Sequence, residues 1–396
     1  MKKYSLFTTI CAIVLILSFL LSLTACGKKT PDSSGGKESS SSSGPDVSYG
    51  GDDAAVNKKP LVIPDGMSID AVMVGDENFT PGSLYKLPTI SFRKQGDDAT
   101  LGLWCWDTGV LIRPERASGL TADMLLDMMI ANNVSELYLS LGRMLDLESQ
   151  IEQEGVIDEG YVSEMQVRGF IKKCNKYGIR VAALLANGGD SAVNWMKGNY
   201  GETMRYIAMV ESMNSRAKED EKIYGIHIDI EPQWKKGAGM AQNQQWAAEY
   251  FTAVRKACDR TKMELNFDIY AWMNKDDMVI DENGKKVAFL DLLTQKCHAL
   301  TIMSYRPKAA DQYSIAADEV EFAAKNDCRI ILASETMNPK DLSAGEAGIT
   351  YYRVGAQVMD EQMGELRTLL DNSGAKYYGG AIHHAASWYA MVREKP

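Results

Sequence analysis

Two carboxylates at the end of an apolar run are the residues whose spacing points most directly to chemistry. Between Tyr224 and Pro232, isoleucines alternate with His227, Asp229 and Glu231. Side chains two positions apart lie on the same face of a β-strand. Neighbouring carboxyls disfavour ionisation of both, so one can hold a proton for acid catalysis. Asp229 and Glu231 are therefore candidate proton-transfer residues, and a structural pair bonded to Arg or Lys is the alternative.

The elements around this strand alternate regularly. From Leu101 onward, short apolar runs alternate eight times with segments of helical periodicity. The runs are Leu101 to Trp106, Glu136 to Leu141, Arg180 to Ala186, Tyr224 to Glu231, Glu264 to Ala271, Ala299 to Tyr305, Arg329 to Ser334 and Tyr378 to His383. One helix is predicted over Thr121 to Asn132, with Thr121 as its cap. This alternation predicts an α/β fold of the (β/α)8 TIM barrel type, and an open doubly wound sheet is the alternative.

In such a barrel, functional residues collect where the strands end. Those ends carry carboxylates and aromatic rings. Sugar rings pack their C–H faces on aromatic planes, and their hydroxyls bind polar side chains. The predicted substrate-binding residues are Trp104, Trp106, Trp234, Asp268, Tyr270, Trp272, Tyr305 and His384. The predicted catalytic residues are Glu231, Asp229 and Glu335, with Glu231 as the acid. For the tryptophans, filling the barrel core is the alternative.

Four of these segments resemble motifs of the chitinase-like glycoside hydrolases, family eighteen. The strand 225–231 resembles that family's DGxDxDxE strand, which implies that Glu231 is the acid/base and that Asp229 assists it. The segment 302–305 resembles its Met-x-Tyr, which implies that Tyr305 contacts the reacting group. Residues 184–189 and 379–382 resemble its third-strand SxGG and its eighth-strand Gly-Gly. Tyr224 and His227 stand where the family has Asp, and His384 stands where it has a Trp.

A second resemblance gives Glu335 a role. Glu231-Pro232 and Glu335 resemble the acid/base and the nucleophile of the large clan of retaining (β/α)8 glycosidases. In that arrangement the two carboxyl groups lie about 5 Å apart, and the seventh-strand Glu attacks the sugar directly. This chain has Ile230 where that clan typically has Asn. Both resemblances assign the acid to Glu231, so the role of Glu335 separates them.

No metal or cofactor is expected. The cysteines show no CxxC spacing, and Gly188-Gly189 alone is too weak a signal for a phosphate site. A metal held by His227, His383, His384, Asp229 and Glu231 is the alternative, but a strand histidine is more often a core residue. The net charge of −10 argues against nucleic acid as a partner, since no Lys/Arg stripe offsets it.

The N-terminus reads as an export signal. Lys2 and Lys3 precede an apolar run from Leu6 to Leu23, which ends in Leu23-Thr24-Ala25-Cys26. This ending resembles the lipobox of bacterial lipoproteins and implies that Cys26 carries a lipid, such as palmitate. A simple transmembrane anchor is the alternative.

The predicted domains are a signal peptide at 1–25, a flexible Ser/Gly-rich tether at 26–58, an irregular extension at 59–100 and the barrel at 101–396. The sequence thus predicts a monomer anchored through Cys26 to the extracytoplasmic face of the cell membrane. Its expected partner is a glycan that it hydrolyses, and a non-catalytic glycan-binding barrel is the alternative.

Overall fold

Eight parallel strands close into a barrel in this protein. The computed structural model describes residues 75–106, 108, 119–141, 163–187, 196, 200–230, 240–271, 276–343 and 345–396. The strands of the barrel are β1 (Thr100–Cys105), β2 (Glu136–Ser140), β3 (Arg180–Asn187), β4 (Gly225–Ile230), β5 (Glu264–Tyr270), β8 (Ala299–Met303), β9 (Arg329–Glu335) and β10 (Tyr378–His383). Two further strands, β6 (Met278–Ile280) and β7 (Lys286–Ala288), form a separate hairpin. The barrel order is β1, β2, β3, β4, β5, β8, β9, β10 and back to β1. The (β/α)8 prediction is confirmed, and the open sheet is excluded.

Helices follow the barrel strands. They are α1 (Ala122–Ala131), α2 (Glu164–Lys176), α3 (Gly201–Arg216), α4 (Met240–Thr261), α5 (Phe289–Lys296), α6 (Ala309–Ile315), α7 (Ala317–Lys325), α8 (Ala356–Asp371) and α9 (Ala385–Glu394). Thr121 caps α1 as predicted, because its side chain accepts a hydrogen bond from the backbone N–H of Met124. Gly178 follows α2 with φ of 74°, a conformation that glycine adopts at little cost. Within the described residues, no helix is long and apolar enough to cross a membrane.

Strand periodicity divides the core into an outer and an inner part. Outward-facing residues such as Ile226 and Ile228 are buried under the helices. The inward-facing side chains form a separate cluster. Its buried members are Trp104, Tyr138, Ala182, Leu184, Ala299, Ile331, Ala333 and Ala381. Small residues on β3, β8, β9 and β10 thus leave room for the large rings of β1 and β2.

Gly102 provides part of that room. A Cβ atom at Gly102 would lie 2.3 Å from the phenolic oxygen of Tyr138. The absence of a side chain on β1 therefore lets the Tyr138 ring lie across the barrel, where it stacks on His227.

An ionic network closes the end of the barrel at which the strands begin. Arg180 binds Glu136 and Glu264 at 2.5 and 2.8 Å, and Arg329 binds the same two carboxylates at 3.0 and 3.3 Å. Burial alone would raise the pKa of Glu136, but the guanidinium groups of Arg329 and Arg180 hold it below its ordinary value. Each of the four residues begins a strand, so the network ties β2, β3, β5 and β9 together.

Residues 75–99 contain no helix or strand and pack on the outside of the barrel. Buried Asp127 of α1 accepts hydrogen bonds from the backbone N–H groups of Gly82, Leu84 and Tyr85 at 2.5 to 2.7 Å. Arg367 of α8 pairs with Asp97 at 2.5 Å. Backbone polar groups of this irregular segment are thus satisfied by side chains from the helices.

The hairpin of β6 and β7 was not predicted. It is inserted between β5 and α5, and its turn contains Asn283-Gly284, a common hairpin signal. Each of its strands is three residues long, which is too short for an alternation of apolar and polar residues to be recognised in the sequence. The hairpin packs against α4, where the Gln245 side chain bonds both the N–H and the C=O of Ile280.

Candidate functional site

Asp229 lies at the open end of β4, opposite Asp268 of β5. The register pairs His227 with Asn266 and Ile228 with Phe267, so Asp229 and Asp268 come next at the same level. Oδ1 of Asp229 is buried and makes no hydrogen bond to any described residue. Burial, with a further contribution from the charge of Asp268, raises the pKa of Asp229 to about 8, against a smaller opposing effect of His383. Asp229 is therefore a carboxyl that holds its proton at neutral pH.

Asp268 is bound on both of its oxygens. Trp104 donates its indole N–H to Oδ2 at 3.2 Å, and Oδ1 lies 2.7 Å from Nε2 of His227. The His227 ring stacks on Tyr138 with 3.8 Å between centroids. Trp104 is only 1% exposed. It lies behind Asp268 and positions it, so the core-filling alternative describes Trp104 better than a sugar platform does.

His383 and Glu335 form the other half of the site, at the ends of β10 and β9. Nδ1 of His383 lies 2.9 Å from Oε2 of Glu335, and Trp106 donates its indole N–H to Nε2 of His383 at 2.8 Å. Oε1 of Glu335 accepts the backbone N–H groups of Thr336 and Met337, both at 2.7 Å. Every polar atom of the Glu335 side chain is thus engaged.

Aromatic rings surround His383. The rings of Trp104, Trp106, Tyr305 and His384 lie with their centroids 5.1 to 5.9 Å from that of His383. Trp106 and Tyr305 are partly exposed, so they can offer a face to a ligand. Burial and the neighbouring His383 lower the pKa of His384 to about 3, which keeps its ring neutral. Tyr270, at the end of β5, is also partly exposed.

Sequence reasoning missed His227 and His383 as site residues. The sequence names both only as alternative metal ligands and favours a core role for a strand histidine, while the resemblance at the end of β10 points to His384. The available signal was strand periodicity, because Gly379, Ala381 and His383 share the inward face of β10. The adjacent His384 lies at the opposite parity and precedes α9 as its N-cap residue.

Four predicted site residues lie outside the described part of the chain. They are Glu231, Trp234, Trp272 and Cys26. The predicted signal peptide and tether, with residues 59–74 of the predicted extension, also lie outside it. Asp229, Asp268, Glu335 and Tyr305 are brought together with Trp104, Trp106 and His384, but the roles assigned to them stay predictions.

No metal centre is evident in the described ranges. No group of three or more His, Cys, Asp or Glu side chains there has a geometry that could hold a metal ion. Within the described residues no disulfide is formed, and Cys105, Cys174, Cys258, Cys297 and Cys328 are all buried.

Comparisons with known proteins return structural similarities alone. No protein-family model matches the sequence, and no curated protein matches it. A chitinase from Chromobacterium violaceum is 13% identical over 75% of this chain and 98% of that chain, with a TM-score of 0.42. A Rhizomucor miehei beta-1,3-glucanosyltransferase mutant is 8% identical over 71% and 86%, with a TM-score of 0.41. The Bacillus megaterium spore cortex-lytic enzyme SleL is 9% identical over 74% and 73%, also at 0.41. The structures similar to this chain thus include glycan-processing enzymes, but at identities and TM-scores that carry no argument about its activity.

Proposed function

We propose that this protein is a lipid-anchored, extracytoplasmic glycoside hydrolase that acts on a polysaccharide or cell-wall glycan, with Glu231 as general acid/base. The observation that carries the proposal is the Asp229 carboxyl at the mouth of the barrel. Its Oδ1 is buried without a hydrogen bond to any described residue, its pKa is raised to about 8, and Glu231 follows it by two positions. A proton held on one of two neighbouring carboxyls is what acid-assisted cleavage of a glycosidic bond requires.

The step assigned to Glu231 is proton donation to the glycosidic oxygen as the bond to the sugar carbon breaks. Asp229 assists by sharing its proton with Glu231, because the alternation in the sequence predicts that the two side chains share one face. The charge of Asp268 helps to keep that proton on Asp229. Partly exposed Trp106 and Tyr305 supply aromatic faces for a sugar ring.

Glu335 fits the role of a positioning residue better than that of a nucleophile. Its side chain is 3% exposed, and its oxygens are bound by two backbone N–H groups and by His383. A carboxylate that attacks a sugar needs an oxygen free to reach the anomeric carbon. This binding pattern favours the route through Asp229 over the two-glutamate mechanism.

The first experiment measures release of reducing sugar from peptidoglycan, chitin, β-glucan and mannan by the protein lacking residues 1–26. Wild type should release sugar from one of them, and Glu231→Gln should abolish the release with the circular dichroism spectrum unchanged. Glu202→Gln is the matched control, because Glu202 is an exposed residue of α3 that pairs with Arg205. If wild type binds one glycan and releases no sugar from any, the protein is the non-catalytic binding barrel instead.

Membrane attachment is tested separately. In a bacterial host, the full-length chain should be found in the membrane fraction, and Cys26→Ala should remove the lipid mass from the N-terminal peptide. If the wild-type chain is held in the membrane with an unprocessed N-terminus, the N-terminal segment is a transmembrane anchor instead.

A further inference from the structure

His383 is hydrogen-bonded on both ring nitrogens at the centre of the site. Its side chain is 16% exposed, and its two partners differ in kind. Trp106 offers an indole N–H, which can only donate, whereas Glu335 offers a carboxylate oxygen. The two partners therefore determine where the imidazole carries its proton.

The hydrogen-bond pattern selects a single tautomer. Nε2 of His383 must be the acceptor, because the Trp106 indole has nothing but a proton to offer. The ring proton then lies on Nδ1 and is donated to Oε2 of Glu335. The structure thus assigns His383 as the Nδ1–H tautomer, with a lone pair at Nε2.

Glu335 is itself held in one orientation. The backbone N–H groups of Thr336 and Met337 both point to Oε1, which leaves Oε2 to face His383. The carboxylate cannot turn away without losing two hydrogen bonds in a buried place. Glu335 therefore enforces the tautomer of His383.

The carboxyl groups that face His383 come from three strands. Burial alone would lower its pKa, but the hydrogen-bonded carboxylate of Glu335 raises the pKa above its ordinary value, with smaller contributions from Asp268 and, once it is ionised, from Asp229. The neighbouring His384 stays neutral. A second proton on His383 would place an N–H opposite the Trp106 N–H, so the indole opposes what the carboxylates favour.

We infer that Nε2 of His383 is a substrate-binding acceptor. In the structure, Trp106 donates a hydrogen bond to this atom. When the glycan binds, one of its hydroxyl or amide N–H groups replaces the indole N–H as the donor. Glu335 is the positioning residue that keeps Nε2 an acceptor. The inference rests on the proposed function for the identity of the ligand, and on the hydrogen-bond geometry for the tautomer. It deepens the proposed function by assigning a donor group of the sugar to a named atom.

The first test is the tautomer, read from the imidazole ¹⁵N signals at neutral pH. Wild type should show a protonated Nδ1 and a bare Nε2 for His383, assigned by their loss in His383→Asn. In Glu335→Gln, the backbone N–H groups should keep the amide oxygen on their side and turn the amide NH2 toward Nδ1. Nε2 should gain the proton when the indole N–H is removed as well, in the double variant Glu335→Gln/Trp106→Phe. A wild-type ring with the proton on Nε2, or an unchanged tautomer in this folded double variant, would overturn the inference.

The second test is ligand binding, with methyl glucoside and N-acetylglucosamine as probes. Trp106→Phe keeps an aromatic ring but lacks the N–H, so Nε2 is uncovered. Either probe should shift the Nε2 signal in this variant at a lower concentration than in wild type, and no shift in either protein refutes the substrate contact.

With the glycan that wild type hydrolyses, Glu335→Gln should lower kcat/KM by about tenfold or more, as expected for one lost hydrogen bond. An inert wild type with the assigned tautomer and a shifted Nε2 would refute hydrolysis and leave this inference standing.

Discussion

Asp229 and Asp268 lie at the same level on neighbouring strands β4 and β5, and only one of them has its oxygens satisfied by protein. Asp268 is bound by Trp104 and His227, while Oδ1 of Asp229 makes no hydrogen bond to any described residue. Burial and the charge of Asp268 raise the pKa of Asp229 to about 8. The site therefore contains two different carboxyl groups: Asp268 is held in place by hydrogen bonds, and Asp229 holds a proton.

The buried carboxyl should make stability depend on pH. The pKa of Asp229 is raised from 3.8 to about 8 on folding, so the folded state binds the proton more tightly. Its contribution is complete below pH 3.8 and is lost as the pH rises toward 8. Asp229→Asn should flatten this decline and raise the Tm at pH 8 by about 3 °C or more relative to wild type. Thermal unfolding at pH 5 and pH 8 measures the difference.

The control for that experiment is Asp259→Asn, because Asp259 is an exposed residue that pairs with Arg255 on the same helix. It should leave the pH dependence of the Tm unchanged. An Asp229→Asn protein that loses stability with pH as steeply as wild type would show that Asp229 is ionised in the folded state.

If the proposed mechanism holds, hydrolysis should fall as the pH rises through about 8, because Asp229 then loses the proton that it is proposed to share with Glu231. Asp268→Asn removes a negative charge beside Asp229 and makes its ionisation easier. The alkaline limb of the kcat/KM profile should therefore move to lower pH in this variant. A limb that stays in place or moves upward would show that another group controls it.

Breaking the ionic network at the closed end should cost stability. Glu136→Gln removes the buried carboxylate that binds Arg180 and Arg329, so that the two guanidinium groups must share Glu264. A loss of about 3 kcal/mol in the free energy of unfolding is expected, the lower end for a broken buried ion pair, because Glu264 remains and Arg180 is partly exposed. Glu202→Gln breaks an exposed pair with Arg205 and should cost less than about 1 kcal/mol. Equal Tm values for the two variants would contradict the buried role of the network.

Gly102→Ala should damage the site from a distance. The new methyl group would overlap the Tyr138 phenol, so the ring must move away from its stack on His227. Overpacking of this kind costs about 1–3 kcal/mol. The double variant Gly102→Ala/Tyr138→Leu removes the phenol oxygen and the ring carbons that the methyl group would meet at 2.3 to 2.8 Å, so its loss of Tm should be smaller than the sum of the two single losses. Additive losses would show that the strain lies elsewhere.

The barrel could be predicted because each strand and helix has its own periodic pattern. The alternation of apolar and ionisable residues in β4 indicated which side chains face inward, and the loops were long enough to carry helices. The β6–β7 hairpin escaped prediction because three residues a strand are too few to establish a period. The network of Glu136, Arg180, Glu264 and Arg329 escaped prediction because its members are separated by 44 to 193 positions and meet only when the barrel closes.

The sequence by itself determined the fold class and the strand ends at which chemistry collects, since both follow from local periodicity. It placed Asp229, Asp268 and Glu335 at those ends. Only the tertiary structure decided which groups pair there. Among the described carboxylates, Asp268 of the neighbouring strand raises the pKa of Asp229. His383, and not His384, lies at the centre of the site, bound to Glu335. Hydrogen bonds between strands depend on shear and register, and closure of the barrel sets both.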